Sequence, residues 1–188
     1  RIILQRPFRC DVLVFDIIGA GLLHQCLPDG YRVATLDIRN HKPLLLDPRF
    51  FYIFFRGLLF SGRARNGRVG YIWLSALLDC LAPRLILSCA DNNSLLARYA
   101  EEHPQTRVVL LQNAMRDTKG SITPGQALPT SLAFGEVENK LFQAIGIRCR
   151  EYQPIGSVKL GLALAQEEQN PYKKFDLCFV SHYRPEMF

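Results

Sequence analysis

The chain has 188 residues, of which 48% are hydrophobic and 21% are charged, and it carries a formal net charge of +6. These proportions are typical of a folded globular protein and exclude a disordered tail, a collagen-like repeat and a coiled coil. A chain of this length forms one domain by default, and it can bury enough surface to fold without disulfides or a structural metal.

The excess positive charge lies in one segment. Residues 39–68 contain seven arginine or lysine residues and a single acid, Asp47. The net charge of this segment therefore equals the net charge of the whole chain, +6. A basic zone this local predicts an anionic partner at one surface and argues against general coating of a nucleic acid.

The six cysteines predict a reduced protein. None belongs to a Cys-x-x-Cys pair, and Cys89 and Cys178 lie inside apolar runs, which is typical of buried thiols. The first nine residues lack the apolar run of a secretory signal peptide. Together these features favour a cytoplasmic protein.

Apolar runs of strand length alternate with helix-like segments along the chain. The first run, residues 10–16, is followed by a helix-like segment at 17–27 and a second run at 31–37. Strand and helix repeated in this order predict βαβ units, and therefore an α/β, Rossmann-like, doubly wound and mainly parallel sheet. The remaining predicted strands are residues 84–91, 106–112, 131–135, 149–156 and 173–181, and the helices between them are 92–103, 136–146 and 157–168.

The crossover between the second and third predicted strands is unusually long and predicts two helices. The first is too rich in arginine to span a bilayer. Two interpretations stay open: a core helix with a solvated arginine face, or a peripheral contact of residues 49–68 with an anionic membrane. By helical spacing, one face carries Arg49, Tyr52, Arg56 and Arg63, and the other carries Phe50, Phe51, Phe54, Phe55 and Leu58.

A polar segment with a proline, residues 167–174, is typical of a linker. We therefore expect a first domain over residues 1–170. Residues 171–188 would then be the linker and first strand of a second, truncated domain.

Ligands of open parallel sheets bind beyond the carboxyl ends of the strands, and three polar clusters are predicted there. The first is Asp16 with Gly19 and Gly21 behind it. The dinucleotide fingerprint G-x-G-x-x-G fails at His24, which disfavours a nicotinamide dehydrogenase. A tight turn that packs against the sheet is the structural alternative for this cluster.

The second cluster follows the predicted strand 84–91 and contains Asp91, Asn92 and Asn93. We expect Asp91 or Asn92 to cap the next helix, whose amino terminus could hold a hydroxyl or a phosphate. Helix capping accounts well for one polar residue at this position, but less well for three in a row.

The third cluster follows the predicted strand 106–112 and contains Gln112, Asn113 and Arg116 ahead of a long loop. Arg116 suits a phosphate or a carboxylate, or alternatively an ion pair with Asp117 or Glu136. The sequence offers no G-x-S-x-G motif, no histidine with a carboxylate partner at suggestive spacing and no metal-ligand cluster, so we expect neither nucleophilic catalysis nor a metal site.

The order of these motifs resembles the amino-terminal half of GT-B-type enzymes of surface-carbohydrate biosynthesis. LQNAMRD (residues 111–117) is similar to their "iQNG-x-R" segment, although Ala114 stands where glycine is usual. IGSVKL (155–160) is similar to their "vGS" segment, and FDLCFVSHYR (175–184) to the opening strand of their carboxyl-terminal domain. The resemblance covers most of the chain, from about residue 10 to residue 184.

The resemblance implies a glycosyltransferase that moves a sugar from a nucleotide-activated donor to a surface polysaccharide or a lipid-linked glycan. This chain would be its acceptor-side domain, one half of the GT-B architecture, working on the cytoplasmic side of the membrane. Such enzymes need neither metal nor cofactor, since helix dipoles and basic side chains neutralise the leaving phosphate. We expect the 188-residue chain alone to be inactive. The alternatives are a sugar-nucleotide epimerase of the same architecture and a non-catalytic Rossmann-like binding module.

The implied catalytic base is Asp91, with Asp16 as second choice. The implied substrate-binding residues are Asn92, Gln112, Asn113, Arg116, Gly156 and Ser157.

Overall fold

A computed structural model describes residues 2–5, 8–38, 42–60, 68–91, 93–114 and 127–167. Eight strands and six helices lie within these ranges. The predicted strand at 173–181 and the predicted domain boundary at 170 lie outside them. In chain order the elements are β1 (Ile2–Gln5), β2 (Val12–Phe15), α1 (Ala20–Cys26), β3 (Val33–Leu36), β4 (Lys42–Leu45), α2 (Pro48–Phe60), α3 (Arg68–Leu81), β5 (Leu85–Ser88), α4 (Ser94–Glu102), β6 (Arg107–Leu111), β7 (Ala127–Ala133), α5 (Glu136–Ala144), β8 (Arg148–Pro154) and α6 (Val158–Glu167).

The main sheet has six strands in the order β3-β2-β5-β6-β7-β8, and every neighbouring pair is parallel. This confirms the predicted α/β, Rossmann-like class. Strands β1 and β4 form a separate two-stranded parallel sheet that the sequence did not predict. Both sheets and helices α1 to α5 belong to one compact unit, Arg1–Ser157, and α6 begins a second unit.

The central strands are buried because helices cover them. All four residues of β2 are buried, as expected for a continuous apolar run in a parallel sheet. Leu13 of β2, Ile86 of β5 and Leu110 of β6 are fully buried in the same hydrophobic cluster. Helices α3 and α4 supply the apolar side chains that pack there, Leu74, Leu77, Leu78, Leu81 and Leu96.

Helix α2 packs against α3 through an unusually close approach. A Cβ atom placed on Gly57 would lie 2.6 Å from Ile72 Cγ2, so the Ile72 side chain of α3 packs where a side chain of residue 57 would otherwise stand. Phe50 is fully buried on this side of α2. The predicted division of faces is wrong for Phe55 and Leu58, which are both exposed. Within the described ranges, no helix is long and apolar enough to cross a membrane.

An ion pair joins β2 and β3 at their amino ends. The Asp11 carboxylate accepts hydrogen bonds from Arg32, at 3.1 Å from the backbone N, 3.0 Å from Nε and 2.9 Å from Nη2. The bonds from the Arg32 side chain and backbone lower the pKa of Asp11 from 3.8 to about 2.

The pH dependence of this pair has a defined sign. Because the folded pKa of Asp11 lies below the unfolded value, the stabilisation is complete above about pH 4 and is lost as the pH falls towards 2. We expect Arg32→Gln to return the pKa of Asp11 towards its ordinary value, measured by NMR titration of the side-chain carboxyl carbon. Arg148→Gln, at the opposite side of the sheet, is the matched control. An unchanged Asp11 titration in Arg32→Gln would contradict the assignment.

Candidate functional site

The strand order defines one switch point, between β2 and β5. After β2 the chain runs to β3 on one side, and from β5 onwards it runs through β6, β7 and β8 on the other. In open α/β sheets the crevice outside the carboxyl ends of the strands at such a reversal is the usual ligand site. Strand β2 ends directly before Asp16, and β5 ends three residues before Asp91. The two predicted carboxylates therefore flank the switch point.

Asp16 is held in an unusual backbone conformation. It is 2% exposed and has a φ of 77°, in the left-handed region that few residues other than glycine adopt. Its backbone N donates to Leu36 O at 2.9 Å, and its Oδ1 accepts a hydrogen bond from the Ile17 backbone N at 2.6 Å. Aspartate tolerates this conformation because its short side chain bonds locally. Backbone strain of this kind is found preferentially at functional sites.

Hydrogen bonds and close packing join the residues that follow β2 to those that follow β5. Ser88 Oγ donates to Phe15 O at 3.1 Å and accepts from Ala90 N at 3.0 Å. Gly19, with a φ of 69°, lies so close to Cys89 that an added Cβ would be 2.4 Å from its Sγ. The turn after β2 thus packs tightly against the loop after β5. Asp91, at the end of that loop, is 5% exposed.

The cap of α4 is neither of the predicted residues. Asn93 is the N-cap, and its Oδ1 accepts from Leu95 N at 3.1 Å and Leu96 N at 3.0 Å. Asp91 is placed two residues before the cap. Asn92 lies outside the described residues.

Gln112 forms a buried hydrogen-bond network beyond the end of β6. Its Nε2 donates to Glu138 Oε1 at 3.0 Å and to Ala114 O at 3.1 Å, and its Oε1 accepts from Phe134 N at 2.8 Å. The amide therefore joins the loops after β6 and β7 to the first turn of α5. Its predicted contact with substrate stays a prediction, because the hydrogen bonds of its side chain are all made within the protein. The sequence analysis missed Glu138, which is buried, because its partner is 26 residues away.

Replacing Gln112 by leucine is expected to lower the free energy of unfolding by about 1–3 kcal/mol. The change leaves the buried Glu138 carboxylate and the Phe134 N–H without their partner, and unmet buried polar groups carry a cost of that size. Chemical denaturation measures the effect. Gln143→Leu is the control, because the amide of Gln143 makes only an exposed 3.4 Å contact with Asn139. Equal stability of both variants would contradict a stabilising role for the Gln112 hydrogen-bond network.

The other predicted residues are spread along the same edge. Asn113 is exposed directly after Gln112, and Arg116 lies outside the described residues. Gly156 and Ser157 follow β8, which is four strands from β2 in the sheet. At a strand spacing of about 4.8 Å, they lie about 19 Å from Asp16. A single small group cannot touch both ends, whereas an extended glycan could.

Chemically, the switch point offers two buried carboxylates, which can accept a proton or hold hydroxyl groups. No group of three or more histidine, cysteine, aspartate or glutamate side chains in the described part of the chain is arranged to hold a metal ion. The chain is thus a Rossmann-like α/β protein with two buried carboxylates, Asp16 and Asp91, after the neighbouring strands β2 and β5, at the usual ligand position of that fold. Comparison with known protein families, curated proteins and solved structures finds no match for this chain.

Proposed function

We propose that this chain is the acceptor-side domain of a GT-B-type glycosyltransferase. The complete enzyme would move a sugar from a nucleotide-activated donor to a surface polysaccharide or a lipid-linked glycan, at the cytoplasmic face of the membrane. The observation that carries the proposal is the pair of buried carboxylates, Asp16 and Asp91, on either side of the switch point. The sequence resemblance described above supports the reaction class.

The chemistry of sugar transfer fits such a site. An acceptor hydroxyl that attacks the anomeric carbon must lose its proton, and a positioned carboxylate can take it. The leaving group is a nucleotide phosphate, whose charge helix amino termini and basic side chains neutralise without a metal or a cofactor. In this proposal Asp91 is the base and Asp16 the second choice, while Asn92, Asn113 and Arg116 contact the substrates.

The far end of the edge has a different role. Gly156 and Ser157 would contact an outlying part of the acceptor. The Gln112 hydrogen-bond network lies between these two residues and the switch point. This arrangement favours an acceptor of several sugar units over a single sugar.

A sugar-nucleotide epimerase is the second candidate, since such an enzyme also uses paired carboxylates in its cleft. The two activities differ in what they require. An epimerase converts a nucleotide sugar without any acceptor, whereas a transferase releases the nucleotide only when the acceptor is present.

The test is an assay of a protein that joins this chain to a donor-binding domain. It is incubated with labelled nucleotide sugars, with and without lipid-linked glycan. We expect label in the glycan fraction only when the acceptor is present, and no transfer by the 188-residue chain alone, because half a cleft cannot align the two substrates. Interconversion of nucleotide sugars without acceptor would favour the epimerase. Turnover by the isolated chain would contradict the acceptor-side assignment.

A further inference from the structure

Helix α2 presents large apolar side chains and an arginine together on its outer side. We call this surface the docking face; its residues line one shallow groove. Phe55 is 55% exposed, Leu59 79% and Phe60 81%. Side chains of this size and exposure on successive turns of one helix are rare on a monomer surface and mark an interaction site. The docking face consists of Tyr52, Phe55, Arg56, Leu59 and Phe60.

The position of the docking face is fixed by the opposite side of the helix. Phe50 is fully buried there, and the contact of Gly57 with Ile72 holds α2 against α3. The helix cannot turn its exposed residues inward without breaking these contacts. The apolar groups therefore stay outward while the protein remains folded.

A basic pocket of about 510 Å³ lies at the beginning of the same helix. Four arginines from separate parts of the chain line it, and two carboxylates, Asp11 and Asp47, oppose them. Asp11 is paired with Arg32, and Asp47 Oδ1 accepts from the Arg49 backbone N at 2.8 Å. The arginines are Arg9, Arg32, Arg49 and Arg84.

Three of these guanidinium groups are available to a ligand. Among the described residues, no carboxylate forms an ion pair with Arg9, Arg49 or Arg84. Guanidinium groups that converge on a pocket suit a phosphate, whose oxygens accept paired hydrogen bonds. The pocket lies at the amino ends of β2, β3 and β5, the edge of the sheet opposite to Asp16 and Asp91.

The pocket and the docking face both lie on one side of α2. Arg49 lines the pocket, and it precedes Tyr52 by three residues and Arg56 by seven, so all three share one side of α2. Aromatic and aliphatic side chains flanked by arginines are what a helix presents to a bilayer interface. The apolar groups enter the boundary between headgroups and acyl chains, and the arginines reach the lipid phosphates. The core of a protein–protein interface is also rich in aromatic residues and arginine, so the docking face alone does not decide between the two partners. The pocket of four arginines at the beginning of the same helix favours lipid phosphates.

We propose that this surface binds an anionic membrane. Phe55, Leu59 and Phe60 enter the headgroup boundary, and Arg9, Arg49 and Arg84 hold the phosphate of a lipid headgroup. The inference stands apart from the proposed sugar transfer, because it uses other residues at the other edge of the sheet.

Sedimentation of the 188-residue chain with lipid vesicles tests the proposal. We expect binding to vesicles of phosphatidylcholine with phosphatidylserine at least tenfold stronger than to phosphatidylcholine alone, and weaker in high salt. Arg49→Gln should weaken binding about fivefold, since each arginine near an anionic surface contributes about 1 kcal/mol. Arg9→Gln with Arg84→Gln should weaken it about 25-fold by the same reasoning. Leu59→Ser with Phe60→Ser should weaken it more than tenfold.

Matched controls distinguish binding through this surface from non-specific adsorption to lipid. Val137→Ser removes an equally exposed apolar side chain from α5, and Arg148→Gln removes an exposed arginine from β8; each should change binding less than twofold. Circular dichroism verifies that every variant is folded. Equal binding to neutral and anionic vesicles, or none to either, would overturn the proposal.

Calorimetry with inorganic pyrophosphate distinguishes a lipid phosphate from a soluble one. Pyrophosphate binding that is lost in Arg9→Gln with Arg84→Gln, in a chain that does not bind vesicles, would assign the pocket to a soluble ligand and overturn the membrane proposal. Vesicle binding that survives that double substitution but not the change at Leu59 and Phe60 would overturn the phosphate site.

Discussion

Sugar transfer is expected to fall by about 10²–10⁴-fold when Asp91 is replaced by asparagine, because that is the usual contribution of a general base. Asparagine keeps the shape of the side chain but cannot accept the proton of the acceptor hydroxyl. Asp16→Asn tests the second carboxylate in the same way. The substitution is mild at that position, since asparagine also tolerates the left-handed backbone of residue 16.

The measurement is kcat and KM of the protein that carries both halves of the cleft. Loss of a base lowers kcat with little change in KM, whereas loss of a binding group raises KM. Asp29→Asn, on an exposed turn, is the control and should leave both constants unchanged. Turnover within a few-fold of wild type in both Asp91→Asn and Asp16→Asn would remove these carboxylates from the mechanism.

Most of the main sheet could be predicted because its strands are parallel and buried on both faces. Such strands are continuous apolar runs, so residues 10–16 and 106–112 indicate β2 and β6 within a few residues. Strands β1 and β4 were not predicted; β4 includes Pro43, and proline argues against a strand interior. Strand β7 begins four residues before its predicted start, because Pro129 favoured a loop there.

The spatial arrangement of the candidate site could not be predicted from the sequence and is seen only in the structure. Sequence places Asp16 and Asp91 after strands, but only the pairing of β2 with β5 brings those strands together. A local pattern also cannot show which residue pairs with Gln112, since Glu138 is on another element.

The outer face of α2 illustrates the same limit. Helical spacing shows which residues share a side, but not which side the core will take. In the structure Gly57 approaches Ile72 of α3, and Phe50 is fully buried on that same side of the helix. Phe55 is then left outside, against the prediction.

Gly19→Ala is expected to destabilise the protein by about 2–5 kcal/mol. The backbone of residue 19 has a φ of 69°, a conformation that costs a residue with a Cβ about 1–2 kcal/mol. The new Cβ would also lie 2.4 Å from Cys89 Sγ and 2.9 Å from Cys89 Cβ, and overpacking adds about 1–3 kcal/mol. The midpoint of urea unfolding measures the loss.

Gly21→Ala is the matched control, because it lies two residues further along the same turn and helix. An added Cβ there meets nothing within 4 Å, and alanine favours a helix by up to about 1 kcal/mol over glycine, so this variant should be as stable as the wild type or more so. Adding Cys89→Ala to Gly19→Ala removes the sulfur but not the left-handed backbone. The double variant should therefore recover part of the loss and not all of it. Equal stability of Gly19→Ala and Gly21→Ala would show that the turn behind Asp16 is not packed against the loop that leads to Asp91.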